Sequence, residues 1–163
     1  MNTMTTDTTL SGGLDARILR EGYGESAWHG PELKGALADV TSATAFWRPA
    51  PGRHNIAEIA LHHAYCVRGV RAKLDGVDPE PFVLEGDDWF TLADQSALSW
   101  SNVVEVLRVE QTRLATAVAE IQAGRMRSPL PDSERFDLVL GITCHAVYHA
   151  GQVQLIKRLA IAG

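Results

Sequence analysis

The chain carries three long runs in which apolar side chains recur at helical spacing, divided by proline- and glycine-rich breakers. Such a chain buries its apolar surface by packing helix against helix. One run follows Arg48-Pro49-Ala50-Pro51-Gly52 and carries apolar positions 56, 59, 60, 67, 70 and 74. Asn55 caps it, Glu58 stands three residues on as in a capping box, and Asp75-Gly76 ends it. A second run covers 99–123, with Trp100, Val103, Val104, Leu107, Leu114, Val118 and Ile121 on one stripe and Gly124 at its end. Its Glu105/Arg108 and Glu110/Arg113 pairs stand three residues apart on the flanks. Ser128-Pro129-Leu130-Pro131 precedes the last run, capped by Asp132 or Ser133 and reaching about Leu159. Before these, 14–21 form a short helix ended by Gly22 and Gly24, and 32–45 form one or two more, broken near Thr41-Ser42. Residues 75–98 hold Asp turns, two prolines and Trp89-Phe90, and read as an irregular excursion packed down by its aromatics. The fold class is all-α, an antiparallel helix bundle with the excursion as a long crossover.

At 163 residues, 45% hydrophobic and 21% charged, the chain is one globular domain. The expected division is a flexible tail over 1–12 and the bundle over 13–163. A formal charge of −5 with no Lys/Arg run argues against nucleic acid as a partner. No apolar run reaches the length of a membrane span, and MNTMTTDTTLSGG lacks the pattern of a secretory leader. Two cysteines, Cys66 and Cys144, make no disulfide framework and read as reduced packing residues. A cytoplasmic location is expected.

Six histidines carry the functional signal. In HAVYH, His145 and His149 lie about 40° apart around a helix axis. They fall on the stripe of Leu138, Ile142, Val153 and Ile156 and so point inward, with Gln152 in the same line. One inward histidine is ordinarily a hydrogen-bonded core residue. Two stacked inward imidazoles leave nitrogens to satisfy, and a shared metal satisfies them. Ala146 stands where a zincin has its glutamate, so that general base is absent. A further ligand must come from another helix. The helical wheel favours His63, about 20° from Ile56, over His62, about 120° away, and leaves Cys66 as a competitor.

HNIAEIALHHAY (54–65) together with HAVYHAGQVQLIKR (145–158) resembles the DinB family, as do WHGP (28–31) and RPAPGRHN (48–55). The resemblance implies a four-helix bundle of up-up-down-down topology, often a homodimer. It also implies three histidines on one divalent metal. Asn55, Ile56 and Glu58 fill the family's second-helix pattern, whose histidine is then His62. His145, His149, Gly151 and Gln152 fill its last-helix pattern without a gap. Against the wheel, the resemblance assigns the ligands as His62, His145 and His149.

Three imidazoles leave positions open on a metal, as in catalytic rather than structural sites. Zinc or nickel is the ion the resemblance implies. Its members include transferases and isomerases that use low-molecular-weight thiols, and proteins described as metal-dependent hydrolases. The implied function is a metal-dependent enzyme on a small-molecule substrate, a thiol-dependent S-transferase or a hydrolase. The alternative is a non-catalytic stress-response protein whose metal staples the bundle. Glu58 either partners a ligand histidine, acts as base, or only completes the helix cap. Gln152 either orients a ligand or packs between helices. Tyr148 projects about 100° from the ligands and reads as structural. The four tryptophans read as core or loop anchors.

Overall fold

A computed structural model describes residues 13–162; the expected tail over 1–12 lies outside the described residues. The helices are α1 (Leu14–Tyr23), α2 (Leu33–Leu37), α3 (Ser42–Phe46), α4 (Ile56–Asp75), α5 (Trp100–Gln122) and α6 (Asp132–Ala162), with no strand among the described residues. The all-helical class is as read from the sequence. Helix α1 packs on α5 and α6, and α4 packs on the same two. The short α2 and α3 lie against α6 and α4 respectively.

Helix boundaries follow local chemistry. The Asn55 side chain accepts from the Glu58 N–H at 2.9 Å, and Glu58 accepts from the Asn55 N–H at 3.3 Å, completing the expected capping box. Gly76 ends α4 in the left-handed region, φ 71°, and a Cβ there would meet Pro129 Cγ at 2.9 Å. Both constraints select glycine. Residues 32–45 do divide, Thr41 capping α3 by accepting from the Thr44 N–H. Helix α6 begins at Asp132, after Pro131, whose carbonyl accepts from the Arg135 N–H. Asp132 is therefore inside the helix, where its carboxylate pairs with Arg135 at 2.6 Å.

One glycine is not the breaker it was expected to be. Gly22 lies inside α1, and a Cβ on it would stand 3.0 Å from Ala146 Cβ and 3.1 Å from the Thr143 carbonyl. It lets α1 approach α6 closely at the turn that carries His145. Sequence spacing cannot distinguish such a glycine from a helix stop.

The core is built by the expected stripes. Val103, Leu107, Leu114 and Val153 are fully buried, with Val118, Ile142 and Ile156 nearly so. Each such side chain contributes roughly 1.5–3 kcal/mol by leaving water. The excursion between α4 and α5 is irregular and is held down by Phe90 and Leu92, both buried. The helix cap also anchors it: Asn55 Nδ2 donates to the Leu92 carbonyl at 2.7 Å, and the Leu92 N–H donates to Glu58 at 3.0 Å.

A buried charge cluster fixes the start of the same excursion. Arg71 donates to Asp75 at 3.3 Å and to Glu80 at 2.7 Å, and faces the buried Glu110 across 3.9 Å. Arg71 Nε and Glu110 Oε2 have no hydrogen-bond partner among the described residues, so the contact between α4 and α5 is electrostatic rather than bonded. Removing the cation leaves a carboxylate buried beside exposed Arg113 alone. Arg71→Ala is expected to destabilise the protein by about 3–5 kcal/mol. Arg71→Met, together with Glu110→Leu, recovers most of that loss in urea denaturation.

Candidate metal centre

Helices α4 and α6 bring four histidines into one cluster. His145 Nε2 lies 3.1 Å from His62 Nε2 and 3.0 Å from His149 Nε2. The ring centroids of these three stand 5.0 Å (62–145), 4.3 Å (145–149) and 5.2 Å (62–149) apart. His63 Nδ1 lies 2.7 Å from His145 Nδ1, and its Nε2 lies 2.9 Å from Gln111 Nε2 on α5. His62 and His63 thus both belong to the site, one on each side of His145.

The outward nitrogens fix the tautomers. His62 Nδ1 donates to Asp88, whose carbonyl and carboxylate oxygens lie at 2.9 and 3.0 Å. His149 Nδ1 donates to Gln152 Oε1 at 2.6 Å. A neutral imidazole protonated at Nδ1 has only a lone pair at Nε2. Both Nε2 atoms facing His145 are therefore acceptors, and a neutral His145 has at most one proton to offer there. At least one of the two close N···N contacts then sets lone pair against lone pair.

An imidazolium does not resolve this at neutral pH. Burial lowers the His149 pKa to about 4, despite the opposing bond to Gln152. Burial and then the neighbouring His62 hold His145 below its ordinary value. His63, fully buried, is held well below it by burial and then by the other three rings. A cation placed among the nitrogens does resolve it. Nitrogens at about 2.0–2.1 Å on neighbouring positions of one ion stand about 2.9–3.4 Å apart, which brackets the contacts His145 makes with His62 and with His149. Neutral imidazole nitrogens are donors that a divalent metal accepts. With His145 Nε2 turned to the ion, its Nδ1–H donates to His63, and His63 Nε2–H requires the Gln111 amide to present its oxygen.

Cys66 stands at the edge of the cluster. Its sulfur, with one nitrogen each from His62 and His145, forms a group whose ligand atoms all lie within 4.8 Å of one another, so these three could also hold a metal ion. Burial and then the Asp88 carboxylate push the Cys66 thiol up to about 12, and the thiol points at Asp88 across 3.7 Å. A protonated thiol is a poor ligand. Cys144 is exposed, not the packing residue it was expected to be.

The remaining sequence candidates divide. Gln152 orients His149 and donates through Nε2 to the Tyr148 hydroxyl at 3.1 Å. Glu58 is not the partner of His62; Asp88 is. Both Glu58 oxygens are taken by Arg48, His54 and the N–H groups of Asn55 and Leu92. Burial opposes its charge, but those bonds, led by Arg48, hold its carboxyl below the usual range.

The excursion supplies what sequence reasoning missed. Trp89 stacks on His62 with centroids 3.8 Å apart and on His54 at 3.7 Å. Asp88, which orients His62, has φ 63°. Aspartate is one of the few non-glycine residues that enter this region with little penalty. The left-handed turn delivers Asp88 and Trp89 to the same imidazole. Beside them a cavity of about 580 Å³ opens on His149, lined by Trp89, Tyr148, Gln152 and apolar residues of α6. Tyr148 is thus part of a cavity wall.

Residues 27–153 match the DinB superfamily. The chain belongs to that superfamily. The matched span holds every histidine of the cluster, Asp88, Trp89 and Gln111, and leaves out α1 and the last turns of α6. No curated protein and no solved structure matches the chain. Among the described residues, no helix of this DinB superfamily chain is long and apolar enough to cross a membrane.

Proposed function

We propose that this DinB superfamily protein is a metal-dependent enzyme. One divalent ion, zinc or nickel, is held by His62, His145 and His149 in a four-helix bundle formed by α1, α4, α5 and α6. The observation that carries this reading is the close approach of His145 Nε2 to both His62 Nε2 and His149 Nε2, with the Nδ1 atoms of His62 and His149 already committed as donors. Neutral nitrogen donors of this kind suit either ion. Bound there, the ion supplies Lewis acidity and draws the pKa of a water or thiol toward neutrality.

The chain's own residues do the rest. Asp88 and Gln152 hold two imidazoles in the ligand tautomer, and His63 with Gln111 holds the third. Trp89 covers His62 and keeps bulk water from its face. The cavity beside His149 gives a small substrate a place to approach from α6. That cavity favours an enzyme over a metal that only staples the bundle. Between the two reactions, thiol transfer asks for no carboxylate base, and Glu58 has no oxygen free to be one. The favoured substrates are a low-molecular-weight thiol and a small electrophile.

Metal-loaded protein is to be assayed with 1-chloro-2,4-dinitrobenzene and a panel of small thiols, in parallel with 4-nitrophenyl acetate. Thiol-dependent loss of the electrophile, abolished in His149→Ala, is the expected result. Ester hydrolysis without thiol would move the reading to a hydrolase. Neither activity, with metal bound and chelator lowering stability, would favour the staple.

His63 is expected to act behind the ligands. His63→Ala should retain metal but with affinity about 10–100-fold weaker, measured by chelator competition, because His145 loses the partner that fixes its tautomer. Gln111→Leu should move affinity in the same direction by a smaller factor. Unchanged affinity in both variants would make the His63–Gln111 contact one of packing alone.

A further inference from the structure

The cavity against His149 has one feature that the metal reading does not use. Its walls are mostly apolar: Trp89, Tyr148, Leu155 and Leu159 contribute rings and branched chains. Leu155 and Leu159, 59% and 45% exposed, lie on the open side of α6, where an amphipathic helix ordinarily carries polar residues. No Asp or Glu lines the cavity, although the chain as a whole is acidic. Arg53 does line it.

The two arginines of the loop before α4 differ in one respect. Arg48 is neutralised by Glu58 through two nitrogens and also donates to the Arg53 carbonyl. The Arg53 guanidinium has no ion pair and no side-chain hydrogen bond among the described residues. An arginine without a counter-charge, at an apolar cavity without a carboxylate, is complementary to an anion that carries an apolar body. The volume of about 580 Å³ suits a ligand of small-molecule size.

We infer that the cavity binds a small organic anion, an aromatic or branched body carrying a carboxylate or comparable acid group, with the body between Trp89 and α6 and the charge on Arg53. The inference deepens the enzyme reading above and rests on it for calling this ligand the substrate. The binding itself needs only the chain's own residues.

The test uses a matched pair of probes, 4-phenylbutyrate and 4-phenylbutanol, titrated calorimetrically into the full chain after metal removal and again after metal loading. In the metal-free protein the carboxylate is expected to bind about tenfold more tightly than the alcohol. Arg53→Gln should weaken the carboxylate about tenfold and leave the alcohol unchanged, while Arg53→Lys keeps most of the preference. Unchanged alcohol binding also shows that the variant is folded. Equal affinity for the two probes, an unaltered preference in Arg53→Gln, or no binding of either overturns the inference. Because the comparison is made without metal, failure of the metal centre leaves it intact. Failure of the anion preference likewise leaves metal content untouched.

Discussion

Protein purified without a polyhistidine tag is expected to carry about one divalent ion per chain by elemental mass spectrometry, and His145→Ala to carry none. His145 is the central donor, with a close nitrogen contact to each of the other two ligands. Its loss removes the bridge, not just one arm. His62→Ala and His149→Ala should each lower affinity by more than the 10–100-fold expected for His63→Ala, since a lost ligand costs more than a lost partner of a ligand. Cys66→Ser separates the two possible donor sets. Metal kept in Cys66→Ser and lost in His149→Ala assigns three histidines. The reverse assigns the His62, Cys66 and His145 group. Stability moves with the metal: at an ion concentration about 100 times Kd, binding adds about 2.7 kcal/mol, so chelation should lower Tm in wild type and leave His145→Ala unmoved. No metal in wild type after reconstitution with zinc and with nickel would end the metal reading and leave a buried histidine cluster.

Much of this site was legible because helical spacing is a strong constraint. HAVYH on an apolar stripe places two imidazoles inward whatever the surrounding fold, and the Asn55/Glu58 cap was plain from residue types alone. The choice between His62 and His63 was not legible in the same way. The wheel ranks residues by distance from the centre of a stripe, and His63, on that centre, is the more deeply buried. The wheel does not say which residue faces across to another element, and His62, at the edge of the stripe, meets both Asp88 and His145. Both residues reach His145, His62 through Nε2 and His63 through Nδ1. Asp88 could not be placed at all, and Trp89 only as an anchor of its own segment, not as the ring on His62. They belong to a segment without periodicity, folded back over His62 by long-range contacts such as the anchoring of Leu92 by Asn55 and Glu58. Gly22 was misread for a related reason: whether a glycine ends a helix or admits a neighbour is decided by the neighbour.

Acid should destabilise the metal-free protein first in a window set by the histidines. His149 has a native pKa of about 4 because it is buried, and about 6.5 in the unfolded chain. Between those values the unfolded state binds more protons, so stability falls as pH falls. The contribution of neutral His149 is fully present above about pH 6.5 and is lost progressively down to about pH 4, a loss of about 3 kcal/mol. His145 and His63 are depressed in the same direction and steepen the same limb. Glu58 acts lower: its carboxyl is held below the ordinary 4.5, so the stability from its pairing with Arg48 is fully present above that value and is lost as pH falls beneath it. Urea denaturation in the presence of chelator at pH 7, 5.5 and 4.5 measures the limb directly. His149→Asn should flatten it while leaving the deeper acid transition in place. Metal-loaded wild type should lose still more over the same range, because protons that enter the imidazoles also release the ion. A metal-free protein equally stable at pH 7 and pH 4.5 would mean that these imidazoles stay open to water in the native state, which contradicts the packing of Trp89 over His62 as well as the charge-free cluster on which the proposed metal centre depends.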